Sequence, residues 1–394
     1  MAEEKTDLVG MSRQLLADPY WPIKVKYGKE KRIRKCISCL GGCWQESLMA
    51  KKEIACSINA ACGNPAFANM QRTNKPLKVA IVGGGPAGME AARVATVRGH
   101  KVVLFEKTRE LGGAILGCCM VPGKEKMKWY ADWLRNEMVA LGVDTRLDHV
   151  PTVEELKAYD LVLNATGARS YVPEVLGLRD KVVGFEDVIA CPKVNCESHP
   201  GDRTVHKVGE RVLIWGDHYA AADTAEFLAS INKKVTIVTD QREFGSQIEV
   251  IHMYVLRKRF QQTDAEALRS KPFKYPVDII TNATVYEIRE DEVVIQDKEF
   301  NRTTLPIDDV IACYTRPKVD LLNEIREAGL NVINVGDSAG VRNLYYAVKE
   351  GAAFGLALDE HLLFNPNNAI VNDLPMEVLD QLSTESLGLD VIQG

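Results

Sequence analysis

The feature that most limits how this chain can fold is a glycine turn, Gly83-x-Gly85-x-x-Gly88. It lies between an apolar run, VAIVG, and a helix-forming stretch, GGGPAGMEAARVATVRG. A second apolar run, HKVVLFEK, follows and contains Glu106 near its end. Strand, glycine turn, helix and strand in that order make a βαβ unit, which commits the chain to a parallel sheet with helices packed on it. The turn also implies a chemistry. Its first glycine permits the tight bend, its second lets backbone approach a pyrophosphate, and its third lets the helix lie close on the strand. The N–H groups opening the helix hold phosphate oxygens, and the acid takes ribose hydroxyls. Gly83, Gly85, Pro86, Ala87, Gly88, Glu106 and Lys107 are therefore candidate dinucleotide-binding residues.

Three further segments favour FAD over NAD in this unit. Leu111-Gly112-Gly113 follows the acid, Ala165-Thr166-Gly167 ends a strand at the usual domain crossing, and Gly336-Asp337 ends another strand before a helix. An aspartate in that last position commonly contacts the ribityl or pyrophosphate region. Gly112, Gly113, Val150, Thr166, Gly167, Gly336 and Asp337 join the FAD candidates.

A second strand–turn–helix–strand pattern spans residues 211–240, and its turn is altered. Gly216 remains, but His218 and Ala221 stand at the other two glycine positions, where a side chain hinders close approach to a pyrophosphate. Asp240 ends the next strand, where an acid favours NAD; Arg242 beside it would instead receive a 2′-phosphate. Gly216, Asp217, His218, Asp240 and Arg242 are candidate NAD(P) residues, against the alternative of a Rossmann domain that no longer binds nucleotide. The unaltered helix pattern DTAEFLAS favours binding.

Because the closing Gly336-Asp337 lies beyond the second unit, one domain is expected inside the other. The expected fold class is α/β, with two nested Rossmann-like, FAD/NAD(P)-binding domains. The outer domain is expected over 76–168 and 318–364 and the inner over 169–317, with an antiparallel meander between Thr281 and Val310. Residues 365–394 read as an acidic tail.

Ahead of the first unit stands a cysteine run. The chain has ten cysteines, and Cys36, Cys39, Cys43, Cys56 and Cys62 fall in one short stretch. Three bunched thiols let one loop wrap three corners of a [4Fe–4S] cubane, with the fourth arriving from further on. Four-cysteine zinc sites compete, but these usually show two separate short pairs. Spacing alone leaves Cys56 and Cys62 both open as the fourth ligand. Cys118, Cys119, Cys191, Cys196 and Cys313 read as ordinary reduced thiols. The basic run at 24–35, KVKYGKEKRIRK, reads as a solvated helix face, with reception of an acidic partner as the alternative.

The chain's 394 residues suffice for two or three domains with real cores, and its net charge of −5 argues against general nucleic-acid binding. No stretch approaches a membrane span, and the first residues lack a signal pattern, so a cytoplasmic setting is expected. The sequence shows no Ser/His/Asp set, HExxH motif or paired catalytic carboxylates, leaving redox chemistry carried by cofactors.

In the order of cysteine run, FAD motif, inserted Rossmann unit and Gly-Asp motif, residues from about Thr6 to about Leu363 resemble the C-terminal half of a known family. This is the 2,4-dienoyl-CoA reductase / trimethylamine dehydrogenase family, the multidomain members of the old yellow enzyme superfamily. RKCISCLGGCWQ…ACSINAACG is similar to its cluster segment, and the resemblance assigns Cys36, Cys39, Cys43 and Cys56 as ligands, leaving Cys62 outside. It implies that TDLVGMSRQLLADPYWP, within residues 1–35, is the last strand and helix of a TIM barrel, with Ser12 and Arg13 contacting an FMN phosphate. The rest of that FMN barrel would come from a partner chain; residues 36–75 would form the cluster segment. Reductase members of the family pass electrons from NAD(P)H through FAD and cluster to FMN and an activated alkene. Trimethylamine dehydrogenase-like members send them outward to an electron-transfer flavoprotein, with ADP in place of FAD. The altered turn at Gly216–Ala221, and Thr315-Arg316-Pro317 in place of Gly-Arg-Pro, depart from the reductase pattern. The reductase subunit is the leading expectation, the amine-oxidising module the second, and a non-catalytic cluster-bearing scaffold the third.

Overall fold

The computed structural model describes residues 7–189, 208–263 and 272–358. The chain forms two compact units, the first made of residues up to 113, 126–167 and from 318 onward, the second of 114–125 and 168–317. Cys191, Cys196 and the expected acidic tail lie outside the described residues.

The sheet of the first unit has five parallel strands in the order Val332–Asn334, Leu161–Asn164, Lys78–Val82, Lys101–Phe105 and Asp144–Arg146. The central strand is buried at every position after Lys78, which is why its sequence reads as a continuous apolar run rather than an alternation. Helix Pro86–Val97 follows the glycine turn, with proline at its first position, where the missing N–H costs nothing. It crosses helix Leu344–Ala357 at glycines: a Cβ on Gly351 would lie 2.2 Å from the Ala87 carbonyl oxygen, and one on Gly355 2.6 Å from Val94 Cβ. No larger residue at these positions allows the same approach.

The cysteine run packs in this unit. It is preceded by helices Arg13–Ala17 and Trp21–Lys26 and continues into a π-helical stretch, Gly41–Met49. The strand expected ahead of Ser12 in TDLVGMSRQLLADPYWP belongs to no described sheet, and Leu8 and Val9 there are 87% and 54% exposed. A strand exists only as part of a ladder, and the apolar residues here meet none.

The basic run is not a simple solvated face. Lys24 pairs with buried Asp18 at 2.7 Å, and Arg32 makes a bidentate pair with Glu137. Buried Arg34 lies 4.3 Å from the Trp133 ring centre and donates to Ile58 C=O and Asn59 Oδ1. Arg93, on the glycine-turn helix, lies 5.7 Å from the same ring and is paired with buried Glu90. Trp133, on helix Met127–Ala140, thus touches both the segment leading to Cys36 and the helix that follows the glycine turn. The two candidate sites share one rigid support.

The second unit also has a five-stranded parallel sheet: Asp278–Ile280, Lys234–Val238, Arg211–Trp215, Asp309–Ala312 and Val182–Gly184. Ala283–Ile288, Glu292–Asp297 and Arg302–Pro306 form the expected antiparallel meander, and Leu176–Gly177 adds a parallel edge. Ala168–Tyr171 pairs with Tyr314–Pro317 in a two-stranded ribbon. Segment 114–125, expected in the outer domain, belongs to the inner unit. Its Lys124 forms a buried pair with Asp223, and Gly117 lies against Ile189 C=O. Among the described residues no helix is long and apolar enough to cross a membrane.

Candidate cofactor sites

At the first turn each glycine has a separate role. Gly83 has φ +116°, and a Cβ there would lie 2.2 Å from the Ala165 carbonyl oxygen. A Cβ on Gly88 would lie 1.9 Å from the Gly83 carbonyl oxygen, so this position sets the contact of helix with strand. Gly85 has an ordinary φ of −77° and open space around its Cβ position, so neither backbone strain nor a neighbour requires glycine there. What the missing side chain leaves is access to the helix N-terminus, where no side chain caps the first N–H groups.

Glu106 is buried, with Oε2 accepting the Gly84 N–H at 2.8 Å and Oε1 accepting the N–H and hydroxyl of Thr108 at 2.9 Å each. These bonds fix the carboxylate against the turn and leave it lone pairs for ribose hydroxyls. Lys107 beside it is exposed. Gly112 donates to Gly84 C=O at 2.9 Å, and the Cβ position of Gly113 is 3.0 Å from Gly85 Cα, so the Leu111-Gly112-Gly113 loop lies directly on the turn. His149 donates to the Glu106 carbonyl, which brings the chain past the acid just before Val150, 61% exposed. Thr166 donates to Asn164 Oδ1 and is followed by Gly167 at φ +77°. Gly336, at φ +66°, packs on Ala87 and donates to Glu350, while Asp337 accepts the Arg342 N–H and burial pushes its carboxyl pKa up. An uncapped helix start, an anchored acid and an open Gly85 fit a dinucleotide.

The second turn differs in charge as well as shape. Gly216 keeps a positive φ, +148°, and His218 adopts φ +68°, so the bend survives without the second glycine. The N-cap of helix His218–Ser230 is Asp217, buried, with Oδ1 accepting the Gly245 N–H at 2.7 Å and Oδ2 without a hydrogen-bond partner. Its carboxylate occupies the helix end where a phosphate would gain from the dipole, and it repels one. Ala221 is fully buried at the third glycine position. Asp240 and Arg242 are exposed after strand Lys234–Val238. This turn fits a pyrophosphate less well than the first.

Cys36, Cys39, Cys43 and Cys56 line one pocket, together with Arg13, Ile37, Ile58 and Gly42; Cys62 does not line it. All four are free thiols. Their loop is bent by left-handed Ser38 and Leu40, and Gly42 lies so close to Cys56 that a Cβ would be 2.7 Å from its Cα. Gln14 clamps the loop, accepting the Cys36 N–H and donating to Arg34 C=O. Burial raises the Cys56 thiol to about 12 against the opposing backbone N–H groups of Ile58 and Asn59; burial likewise raises Cys43, and Arg13 opposes it. Among the described residues no three His, Cys, Asp or Glu are gathered tightly enough for a single metal ion. Four thiols around one recess, with N–H groups and a guanidinium nearby, match the donor set of a larger, anionic cluster. Ser12 makes no side-chain cap, and Arg13, expected at an FMN phosphate, lies in the cysteine pocket. The sequence carried no local signal for that placement, or for the roles of Gln14 and Trp133. Cys313 is a buried thiol and Cys118 a half-buried one, each pushed up to about 12 by desolvation.

The profile of the pyridine nucleotide-disulphide oxidoreductase family matches residues 77–340. The chain belongs to this family. Its members are FAD- and NAD(P)-binding oxidoreductases, in keeping with the two Rossmann-like sheets. The chain is 33% identical over 349 residues to bilirubin reductase of Mediterraneibacter gnavus, covering 88% of this chain and 50% of that protein. It is 31% identical over 359 residues to NADH oxidase of Thermoanaerobacter brockii, covering 89% and 52%. Among solved structures, 2-naphthoyl-CoA reductase in complex with 2-naphthoyl-CoA aligns at 27% identity with a TM-score of 0.78, over 90% of this chain and 51% of that one. The chain spans about half the length of the curated relatives it matches.

Proposed function

We propose that the chain is the electron-transfer half of a flavin enzyme. It passes electrons from NAD(P)H, by way of FAD and a [4Fe–4S] cluster on Cys36, Cys39, Cys43 and Cys56, to an FMN barrel that reduces an enoate- or enoyl-type substrate. The observation that carries this reading is the convergence of those four thiols on one pocket, in the same unit as the glycine turn. The relatives' names, an NADH oxidase and a bilirubin reductase, support the class of reaction, and the 2-naphthoyl-CoA complex supports an acyl-CoA type of substrate. The half-length match supports a barrel supplied by other residues, either a partner chain or a longer protein.

When bound, FAD takes up an electron pair and the cluster relays electrons singly. The chain's own residues hold and orient these groups. The N–H groups after Gly85 receive the pyrophosphate, Glu106 fixes the ribose, and Asp337 lies after the closing strand. Arg34, Trp133 and Arg93 keep the cysteine loop and the glycine-turn helix in fixed register, which electron transfer requires.

Asp217 favours a second reading. With a carboxylate at the inner turn, the chain would serve an amine-oxidising or demethylating enzyme, holding ADP in place of FAD and sending electrons outward to a flavoprotein carrier. One experiment separates the two: anaerobic purification, acid extraction of the nucleotide, and iron and sulfide counting. FAD with about four irons per chain, and bleaching by NADH, supports the first reading. ADP with the same iron and no bleaching supports the second. Zinc in place of iron overturns both.

A further inference from the structure

Two exposed lysines and one exposed tryptophan stand together beside the cysteine pocket. Lys35, next to Cys36, is exposed, and its ammonium is 5.6 Å from the centre of the Trp129 ring. Lys126 approaches the same ring to 5.7 Å and donates to Ser38 Oγ at 3.2 Å. Ser38 is between Cys36 and Cys39 and lines their pocket, so the two ammoniums and the indole stand at the rim of the cysteine site. Trp129 is 41% exposed, whereas Tyr130 and Trp133 on the same helix are buried. Tryptophan is enriched among the residues that carry binding energy at protein interfaces, and each ammonium over this ring adds a cation–π contact. Asp132, the nearest acid along the helix, is taken up by Lys128 and Arg135, and no described ion pair neutralises Lys35 or Lys126. The whole chain carries a net charge of −5, so these two ammoniums run against its overall sign.

The geometry points to a docking patch, formed by Lys35, Lys126 and Trp129, through which an acidic one-electron carrier protein exchanges electrons with the cysteine site. The inference rests on the cluster reading above. In each encounter the reduced chain loses one electron and the oxidised carrier gains it; a flavin carrier takes up one solvent proton as its neutral semiquinone forms. The net negative charge of the chain repels an acidic carrier at long range, and the patch reverses that field beside the cysteine pocket, which steers orientation and raises the on-rate.

The test uses the iron-replete chain, reduced anaerobically and mixed in stopped flow with oxidised flavodoxin as the acidic carrier and with a cationic cobalt(III) complex as control. The expected wild-type rate with flavodoxin falls about tenfold or more from low to high salt. The double reversal Lys35→Glu/Lys126→Glu lowers the low-salt rate about tenfold or more and flattens the salt dependence. Its iron content stays the same, and its rate with the cobalt complex does not fall. Lys35→Gln/Lys126→Gln gives an intermediate rate, and Trp129→Ala slows flavodoxin alone. Wild-type rates and salt slope in an iron-replete double reversal overturn the patch alone. A wild-type chain without iron overturns the cluster reading and the patch with it.

Discussion

Two glycines three residues apart in the same turn predict opposite failures. At Gly88 an added Cβ would stand 1.9 Å from the Gly83 carbonyl oxygen. An ordinary C···O contact is about 3.3 Å or longer, so the two atoms overlap by roughly 1.4 Å. The oxygen is backbone and the Cβ position is fixed by backbone, so no rotamer relieves the clash; helix Pro86–Val97 must lift from the turn that follows strand Lys78–Val82. Overpacking of this kind costs about 1–3 kcal/mol, and a clash between backbone groups belongs at the upper end. With a urea slope of about 3 kcal/mol/M, Gly88→Ala lowers the midpoint of the nucleotide-free protein by about 1 M. At Gly85 the added Cβ meets nothing within 4 Å and φ is −77°. Gly85→Ala therefore changes stability by less than about 1 kcal/mol, since lost chain entropy in the unfolded state and a poorer N-cap act in opposite directions. Its methyl stands where the pyrophosphate would approach. The expected result is a folded protein with a near wild-type midpoint and dinucleotide content below roughly a tenth of wild type, a binding loss of more than ~1.4 kcal/mol. Urea unfolding by circular dichroism and nucleotide released by acid are the two assays. A Gly85→Ala protein with full nucleotide, or an unshifted Gly88→Ala midpoint, would refute the division of roles.

Cys56→Ser should abolish bound iron while Cys62→Ser retains it, because only Cys56 lines the pocket; iron and sulfide counts decide. Burial alone would raise Glu137, but Arg32 and its neighbours hold its pKa below 4.5. Its stabilising contribution is therefore present above that value and lost as pH falls through the lowered pKa. Arg32→Met should cost about 3 kcal/mol at neutral pH by leaving that carboxylate buried without its main partner, and the stability gain from pH 4 to 5 should shrink; urea midpoints across pH test both. Burial lowers His252 to about 4 from 6.5, with Lys124 and Arg259 adding to the effect. The unfolded chain takes the proton first, so stability is lost as pH falls from 6.5 towards 4, and His252→Phe should lessen that loss.

The strand–turn–helix pattern around Gly83–Gly88, the acid at Glu106, the second βαβ unit and the antiparallel meander are legible in the sequence, because each is set by local periodicity or by a backbone conformation that needs glycine. The bunching of cysteines is legible for the same reason, since neighbours in sequence must share a loop. Spacing does not tell which further thiol joins the first three; family resemblance named Cys56, and packing turns Cys56 rather than Cys62 towards their pocket. The other surprises are of the same kind. Arg34, Trp133 and Arg93 come from three distant segments, and their stacking has no local signature. Segment 114–125 joins the inner unit through the Lys124–Asp223 pair, formed across a long stretch of chain. Asp217 reads as a candidate NAD(P) residue until Gly245 is found donating to it and its other oxygen is found buried without a hydrogen-bond partner at the helix start. Local pattern determined what the backbone could form. Long-range packing, which alone decides what is desolvated and which charges meet, determined which thiols share a pocket and which carboxylates are buried.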